Sequence, residues 1–351
     1  MKLKDASRTG DPQSASHPKV PLFSGGTAAP YQQWQAINMT KKLVPYLKFI
    51  ALITVLTLLE SMPLQANQQP GRFFLMGSGT LHLKNLHSER TATVHLLNPD
   101  GSLNEKGFDE VDRVFGFPTA EKSEHISPRL LFMLSYFSDL LAPGRTIQIE
   151  SAYRSPEYNN ALRSKGANAA RTSTHLDGIA LDFYIEGVDG KELWETVRAK
   201  NCGGVGHYGG KSIHFDAGRP RFWEAATSGT KSKEPDYNRH LYLSSDFDRY
   251  GAHEKIRLSL SGISTFGFGV KPTAQVYRAA DPEKPVGQVA IHAGDESDCL
   301  MIPDHKTSRF LSTALPPEYP TGRYRLQLEF CRKPFIEMPA ETLSNEIELI
   351  R

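Results

Sequence analysis

Two short stretches of the chain decide how its central part folds. They read Ser173-Thr174-His175-Leu176-Asp177-Gly178-Ile179-Ala180-Leu181-Asp182 and, further along, Ser212-Ile213-His214-Phe215-Asp216. The pair Asp177-Gly178 predicts a tight turn, and the apolar residues 179–185 predict a strand that Asp182 interrupts. Because side chains alternate along a strand, Asp182 projects from one face while Leu181 and Phe183 project from the other.

Both stretches place polar groups at otherwise apolar positions. Burying an unpaired carboxylate such as Asp182 costs several kcal/mol unless a cation or hydrogen-bond donors compensate. Together with His175 and His214 it supplies two imidazoles and one carboxylate, which suit Zn²⁺ and leave a fourth position open for water. The sequence therefore predicts one zinc ion at these three residues. Since the chain holds 12 histidines, ordinary hydrogen-bonded roles for both are the alternative.

Three blocks follow one another between residues 151 and 216. They are Ser151-Ala152-Tyr153-Arg154-Ser155-Pro156 with Asn159, then Ser173-x-His175-x-x-Gly178-x-Ala180-x-Asp182, and last His214-x-Asp216. In this order and spacing they resemble the zinc D-alanyl-D-alanine carboxypeptidase and murein endopeptidase family, whose members cut the stem peptides of peptidoglycan. The Gly-Gly-Val-Gly run at residues 203–206 is similar to a periplasmic branch of that family. The resemblance extends over about residues 71–224.

The resemblance implies zinc held by His175, Asp182 and His214, and peptidoglycan as the substrate. It also implies that Arg154 stabilises a substrate carboxylate or the developing oxyanion. A planar guanidinium suits either role, because it binds through two donors and stays protonated near neutrality. A structural ion pair with a nearby acid is the alternative for Arg154.

The general base is the point at which the chain departs from the family pattern. Many members of the broader family place an acidic residue or a histidine two or three positions before the last ligand, where this chain has Ser212 and Lys211. His207 is one candidate, since an imidazole titrates near neutrality; an ordinary loop histidine is the alternative. Asp216 is the other, although its place two residues after His214 favours a role in holding that ligand.

Composition excludes one class of partner. The chain has 351 residues, with 41 Lys and Arg against 39 Asp and Glu, a formal net charge of +2. This balance argues against a nucleic-acid partner, because no dense basic run is interleaved with aromatic residues. A hydrophobic fraction of 39% is enough for one or two ordinary cores.

The N-terminal region predicts export. Lys41-Lys42, the apolar run 49–59 and Leu64-Gln65-Ala66 match the three parts of a signal peptide over residues 39–66. The apolar run is too short to cross a bilayer core comfortably, so we expect a periplasmic or secreted protein that meets the membrane only through this segment. Residues 1–38 are polar and without periodicity. They are either a disordered tail or a wrongly assigned extension, with translation starting at Met39.

The remaining sequence predicts two folded parts. Residues 67–226 predict an α+β zinc peptidase-like domain, in which a small antiparallel sheet carries the ligands and helices such as Ser127–Leu141 pack on one face. Residues 227–240 predict a linker. Short alternating runs in residues 241–351 predict a β-sandwich domain. Cys299 and Cys331 lie in this last part and are candidates for a disulfide, although three unpaired cysteines including Cys202 are as compatible with the sequence.

These observations favour a periplasmic zinc peptidase that acts on peptidoglycan stem peptides or cross-links. A zinc-containing wall-binding module with little or no turnover is the alternative, because the general base is missing from its usual position and a β-rich part is appended. A third hypothesis is an envelope protein in which the β-rich part carries the function. The sequence leaves open whether a peptidase would act as an endopeptidase or a carboxypeptidase, the partner of the C-terminal part, and the oligomeric state.

Overall fold

The structure is a computed structural model that describes residues 71–166, 169–227, 235–294 and 297–350. The predicted disordered or wrongly assigned segment 1–38 and the predicted signal peptide 39–66 lie outside the described residues, as do residues 228–234 of the predicted linker. Within the described part of the chain, no helix is both long and apolar enough to span a membrane.

Residues 71–227 combine helices and strands, as predicted for an α+β fold. The strands are β1 (Thr80–Asn85), β2 (Thr91–His95), β3 (Ile147–Ser151), β4 (Ala180–Ile185), β5 (Gly204–His207), β6 (Ile213–Asp216) and β7 (Arg221–Glu224). The helices are α1 (Glu105–Phe115), α2 (Thr119–Lys122), α3 (Pro128–Leu141), α4 (Pro156–Ser164) and α5 (Gly190–Lys200), followed by a short 3₁₀ turn, Ala225–Thr227.

The seven strands form one sheet in the order β2-β1-β3-β4-β6-β5-β7. The prediction of a small antiparallel sheet is wrong in two respects, because the sheet has seven strands and two of its pairs, β1 with β3 and β5 with β7, are parallel. A parallel pair needs a connection that crosses over between the strands. Here β2 and helices α1 to α3 lie between β1 and β3 in the chain, and β6 lies between β5 and β7. The strands β4 and β6 that carry two predicted ligands are antiparallel.

One face of this sheet packs against helix α3, and the candidate ligands lie on the other face. The predicted helix is confirmed: Pro128 opens it, and the Ser127 hydroxyl accepts a hydrogen bond from the Leu130 amide at 3.4 Å. One hydrophobic core unites apolar side chains of the helix and of strands β4 and β6, namely Leu130, Leu131, Leu134, Phe137, Leu181, Phe183, Ile185, Ile213 and Phe215. Residues that alternate with the strand members of this set therefore project away from the core.

Strands are the main regular elements of residues 241–350. They are β8 (Tyr242–Ser245), β9 (Arg249–Tyr250), β10 (Lys255–Ser261), β11 (Phe268–Arg278), β12 (Asp281–Ala290), β13 (Leu300–Ile302), β14 (Leu311–Ala314), β15 (Gly322–Arg332), β16 (Glu341–Leu343) and β17 (Ile347–Leu349), with one short helix, α6 (His305–Arg309). They form a three-stranded sheet, β14-β10-β8, and a larger sheet along β12-β11-β15-β17-β9, onto which β13 and β16 pair. Both sheets contribute to a second hydrophobic core. Their arrangement as a sandwich, and the domain boundaries, stay predictions.

The three cysteines differ in state. Cys299 and Cys331 form a disulfide that links the segment before β13 to β15. Cys202 is a free, partly buried thiol, and burial raises its pKa to about 12. It is therefore protonated and unreactive at neutral pH.

Buried ion pairs join residues 71–227 to residues 241–350. The carboxylate of Glu124 accepts hydrogen bonds at 3.0 Å from both Arg257 and Arg309 and has a side chain that is only 3% exposed. Arg129 of α3 pairs in the same way with Asp248, and both of these groups are buried. Because a buried charge without its partner is costly, these contacts fix the two parts against each other.

Candidate metal centre

Two of the predicted ligands come from neighbouring strands. Strands β4 and β6 pair so that Asp182 lies directly opposite His214, and directly opposite residues project from the same face. His175 comes from the turn before β4. In that turn Gly178 has a φ of +66°, and a Cβ atom there would stand 2.4 Å from the Phe117 ring, so only glycine fits. The structure thus brings the three residues together.

Three side-chain atoms meet at one point. His214 Nδ1 lies 3.0 Å from Asp182 Oδ1, and His175 Nε2 lies 3.3 Å from each of these two atoms. Ligand atoms at the corners of a tetrahedron around zinc, each about 2.0–2.1 Å from the ion, stand about 3.3 Å apart. The spacing of the three atoms therefore already matches three corners of such a tetrahedron.

The second ring nitrogen of each histidine makes a hydrogen bond, and this determines which nitrogen faces the other two candidate ligands. His175 Nδ1 donates a hydrogen bond to the carbonyl of Ala152 at 2.6 Å, which leaves its Nε2 as an acceptor. His214 Nε2 lies 2.8 Å from a carboxylate oxygen of Asp216, which leaves its Nδ1 towards Asp182. A ligating histidine typically has such a partner on its second nitrogen.

Three atoms that carry lone pairs repel one another at this range unless a cation or a proton lies between them. Burial lowers the pKa of His175, so its imidazole is neutral, the form that binds a metal. Burial acts in the same direction on His214, but its hydrogen bonds to Asp182 and Asp216 outweigh it and raise its pKa. A proton on His214 would lie between Nδ1 and Asp182, and a metal ion that binds there would displace it. The donor set fits zinc.

Asp216 supports His214. Its carboxylate is fully buried and also accepts hydrogen bonds from Arg221 at 2.7 Å and from the Gly218 amide at 2.9 Å. Burial would raise the pKa of Asp216, but the charge of Arg221 and the hydrogen bond from His214 hold it well below its usual range. Because both oxygens already have donors, the geometry favours a role in orienting His214 over one in accepting a proton from water.

Arg154 contacts one of the candidate ligands. Its Nη2 donates to Asp182 Oδ2 at 2.6 Å and its Nε to the hydroxyl of Ser151 at 2.9 Å. The guanidinium also lines the cleft described below. The ion pair considered as the alternative is thus present, and its acid is the candidate ligand Asp182. An arginine in this place holds Asp182 and reaches the cleft at once.

The structure does not bring His207 to the three candidate ligands. In the pairing of β5 with β6, Gly206 lies opposite His214 whereas His207 lies opposite the core residue Ile213. Its ring therefore leaves the sheet on the face opposite to the ligands, 6.2 Å from the ring centre of Trp194. Its Nε2 bonds the Gly210 carbonyl at 3.0 Å. This placement argues against His207 as the proton carrier.

The ligand face opens into a cleft of about 2000 Å³. This is about twice the upper end of the range of about 300–1000 Å³ typical of small-molecule sites. Residues 71–227 form most of its lining. Asp236 and Arg239, which precede β8, also line it, and residues 241–350 contribute Tyr242, Ser261 and Gly262. The size and openness of the cleft suit an extended substrate.

Sequence reasoning missed two aromatic residues beside the ligands. The ring of Trp223 packs against that of His214 with centroids 5.2 Å apart, and its Nε1–H donates to the Tyr208 hydroxyl at 3.4 Å. Burial raises the pKa of Tyr208, so its hydroxyl remains a donor. Gly206 makes room for this pair, since a Cβ atom there would stand 2.4 Å from Trp223. Only the strand register, which the sequence does not give, shows that Tyr208 and not His207 faces the cleft.

The fold thus places three candidate metal ligands at the wall of an open cleft, an arrangement that hydrolytic metal sites share. Comparison with known proteins agrees. The family model for peptidoglycan L,D-endopeptidase MepK matches residues 76–223. Peptidoglycan L,D-endopeptidase MepK of Escherichia coli (strain K12) is 31% identical over 144 residues, which cover 41% of this chain and 79% of that protein. The chain therefore belongs to the MepK family of peptidoglycan peptidases, and the resemblance found in the sequence is confirmed.

A second relative is the probable peptidoglycan L,D-endopeptidase MepK of Haemophilus influenzae. It is 34% identical over 79 residues, which cover 22% of this chain and 42% of that protein. No solved structure matches the chain. The family match ends at residue 223, so residues 241–350 and their contribution to the cleft lie beyond it.

Proposed function

We propose that this protein is a zinc-dependent peptidase that hydrolyses peptide bonds in the stem peptides or cross-links of peptidoglycan. The observation that carries the proposal is the convergence of His175 Nε2, Asp182 Oδ1 and His214 Nδ1 within 3.3 Å of one another at the wall of a large cleft. Membership of a family of peptidoglycan peptidases supplies the substrate class.

One zinc ion would be held by those three residues and would supply a Lewis acid that polarises the scissile carbonyl and activates water. The residues of the chain have separate tasks. Asp216 and the Ala152 carbonyl orient the two imidazoles through their second nitrogens. Arg154 holds Asp182 and, from the cleft wall, stabilises negative charge on the substrate. The Tyr208 hydroxyl is a further donor towards the cleft.

For the bond that is cut, we propose endopeptidase action. The relatives in Escherichia coli and Haemophilus influenzae are named L,D-endopeptidases, the latter as a probable one. An endopeptidase must accept chain on both sides of the scissile bond, and the cleft of about 2000 Å³ extends to both parts of the protein. A carboxypeptidase needs only a site for a chain end.

For location, we propose the periplasm or the cell exterior, where the substrate lies. Residues 39–66 would act as the signal peptide, and the mature protein would begin near Asn67. N-terminal sequencing of the exported protein tests this. Recovery of a soluble cytoplasmic form that retains residues 40–66 would contradict it.

The function is tested by digesting purified sacculi with the zinc-loaded protein and identifying the products by mass. The matched control is His175→Ala, which removes one ligand. We expect the wild type to release peptides cut within the stem or cross-link and the variant to release none. Wild-type protein that binds sacculi yet releases no peptide would favour the wall-binding module.

A further inference from the structure

The carboxylate expected near position 212 comes from another strand. Ser212, two residues before His214, donates its hydroxyl proton to Glu150 Oε1 at 2.6 Å. Glu150 belongs to β3, is half-buried, and lines the same cleft as Asp182 and His214. An acid is therefore present beside the position where this chain has a serine.

Alternation along β3 accounts for the direction of the Glu150 side chain, because Ile147 and Ile149 belong to the core and Glu150 follows them on the other face of the strand. Strand β3 pairs with β4 so that Ile149 lies opposite Phe183 and Ser151 lies opposite Asp182, with Glu150 as the extra residue between them. Regular alternation would put Glu150 and Ser151 on opposite faces. The bulge breaks this alternation and brings Ser151 onto the same face as Glu150, as bulges next to active sites often do. Both residues line the cleft here.

The strand order places the Glu150 carboxylate near the candidate ligands. Strands β3 and β6 flank β4, so they lie about 10 Å apart, and a side chain that bonds Ser212 from β3 must cross over β4. Two residues along a strand span about 7 Å, which is the distance from Ser212 to His214. The carboxylate thus lies over β4 on the ligand face, beside Ser212 and two residues along the chain from the candidate ligand His214.

The other candidates for a base are already engaged. Both carboxylate oxygens of Asp216 accept hydrogen bonds from protein donors. His207 leaves the sheet on the opposite face. Among the lining residues that the structure describes, the acids are Glu150, Asp182 and Asp236. Asp182 is a candidate ligand, and Asp236 lies in the segment before β8 and pairs with His240.

We propose that Glu150 is the general base of the hydrolysis, an assignment that rests on the proposed function. Its carboxylate takes one proton from the attacking water as the water oxygen bonds to the scissile carbonyl carbon. As the C–N bond breaks, this proton passes to the departing amide nitrogen, so that an amine leaves and the carboxylate is regenerated. Ser212 positions the carboxylate through its hydrogen bond.

The test is Glu150→Gln, which keeps the shape and an acceptor for Ser212 but cannot take up a proton. We expect kcat to fall by about 100- to 10 000-fold, the usual share of general acid–base catalysis. Zinc content, melting temperature and the affinity for a purified muropeptide, measured by calorimetry, should be unchanged. Glu186→Gln is the matched control. Glu186 is an exposed acid that directly follows β4 in the chain, and it does not line the cleft.

The outcomes separate the two claims. Unchanged kcat in Glu150→Gln, with an active wild type, would overturn the role of Glu150 and leave the proposed function standing. A fall in zinc content or muropeptide affinity that alone accounts for lost activity would also overturn it and assign Glu150 a structural role. Absence of hydrolysis by the wild type would overturn both.

Discussion

Two polar clusters of this protein differ in their balance of hydrogen-bond donors and acceptors. At the junction between the two parts of the chain, Glu124 meets the guanidinium groups of Arg257 and Arg309, so each charge has a partner of opposite sign. In the cleft, His175, Asp182 and His214 bring together three atoms that are natural acceptors. Little of either cluster is exposed, yet only in the first do the side chains provide a partner of opposite charge for one another.

This difference separates a structural cluster from a functional one. A complete ion-pair cluster contributes rigidity, and removing one member leaves an unpaired buried charge. A cluster of acceptors is held together only by what binds between them, here a proton or a metal ion. Burial and charge alone do not distinguish the two, whereas the balance of donors and acceptors does.

The largest effect is expected from His214→Ala. Loss of one of three ligands should remove zinc from the protein, beyond the roughly 10- to 100-fold cost of losing a group that only supports a ligand. Metal analysis of the purified variant, with the wild type as control, measures this. Full zinc occupancy in His214→Ala would mean that the ion is held elsewhere.

Arg154→Lys should retain zinc but lose about 100- to 10 000-fold in turnover. The planar two-donor group that contacts Asp182 and the cleft is replaced by a point charge. Steady-state kinetics on a purified muropeptide, together with zinc content, checks this. Unchanged turnover would leave Arg154 with a structural role only.

At the junction, Glu124→Gln should destabilise the protein by about 3 kcal/mol, because Arg309 is left buried without a counter-charge. Zinc affinity should not change. The matched control is Glu254→Gln, whose partner Arg72 is about one-third exposed. The free energy of unfolding should therefore fall by only about 1 kcal/mol or less. Denaturant unfolding and zinc titration measure both quantities. Equal destabilisation by the two variants would contradict the contrast drawn between clusters.

Asp216→Asn should weaken zinc binding by about 10- to 100-fold, since the partner of His214 Nε2 loses its charge. The effect is smaller than that of His214→Ala because the ligand itself remains. Competition with a chelator of known affinity measures it. Wild-type affinity in this variant would show that Asp216 serves the fold alone.

The smallest effect is expected from His207→Gln. Because the ring lies on the opposite face of the sheet, rate, zinc content and the pH–rate profile should all match the wild type. Disappearance of the limb of that profile that titrates near about 6–7 would restore His207 as the proton carrier.

The three candidate ligands could be predicted from the sequence because the pattern that reveals them is local. Asp182 and His214 each interrupt an apolar alternation, and Gly178 marks the turn that delivers His175. The same holds for helix α3, whose Ser-Pro start and apolar content are contiguous in the chain.

What could not be predicted depends on register and on distant pairing. Glu150 meets Ser212 only because β3 and β6 flank β4, and Tyr208 faces the cleft because Gly206 pairs with His214. The Glu124–Arg309 contact joins residues 185 positions apart. The sheet is mixed because β3 pairs in parallel with β1 and β7 pairs in parallel with β5, choices that no stretch of sequence records.

We expect one zinc ion to bind between His175, Asp182 and His214. Diffraction from crystals of the zinc-loaded protein, recorded on both sides of the zinc absorption edge, tests it most directly. We predict one anomalous peak about 2.0–2.2 Å from His175 Nε2, His214 Nδ1 and Asp182 Oδ1. A zinc peak bound by other residues, or none at these three atoms, would contradict the account.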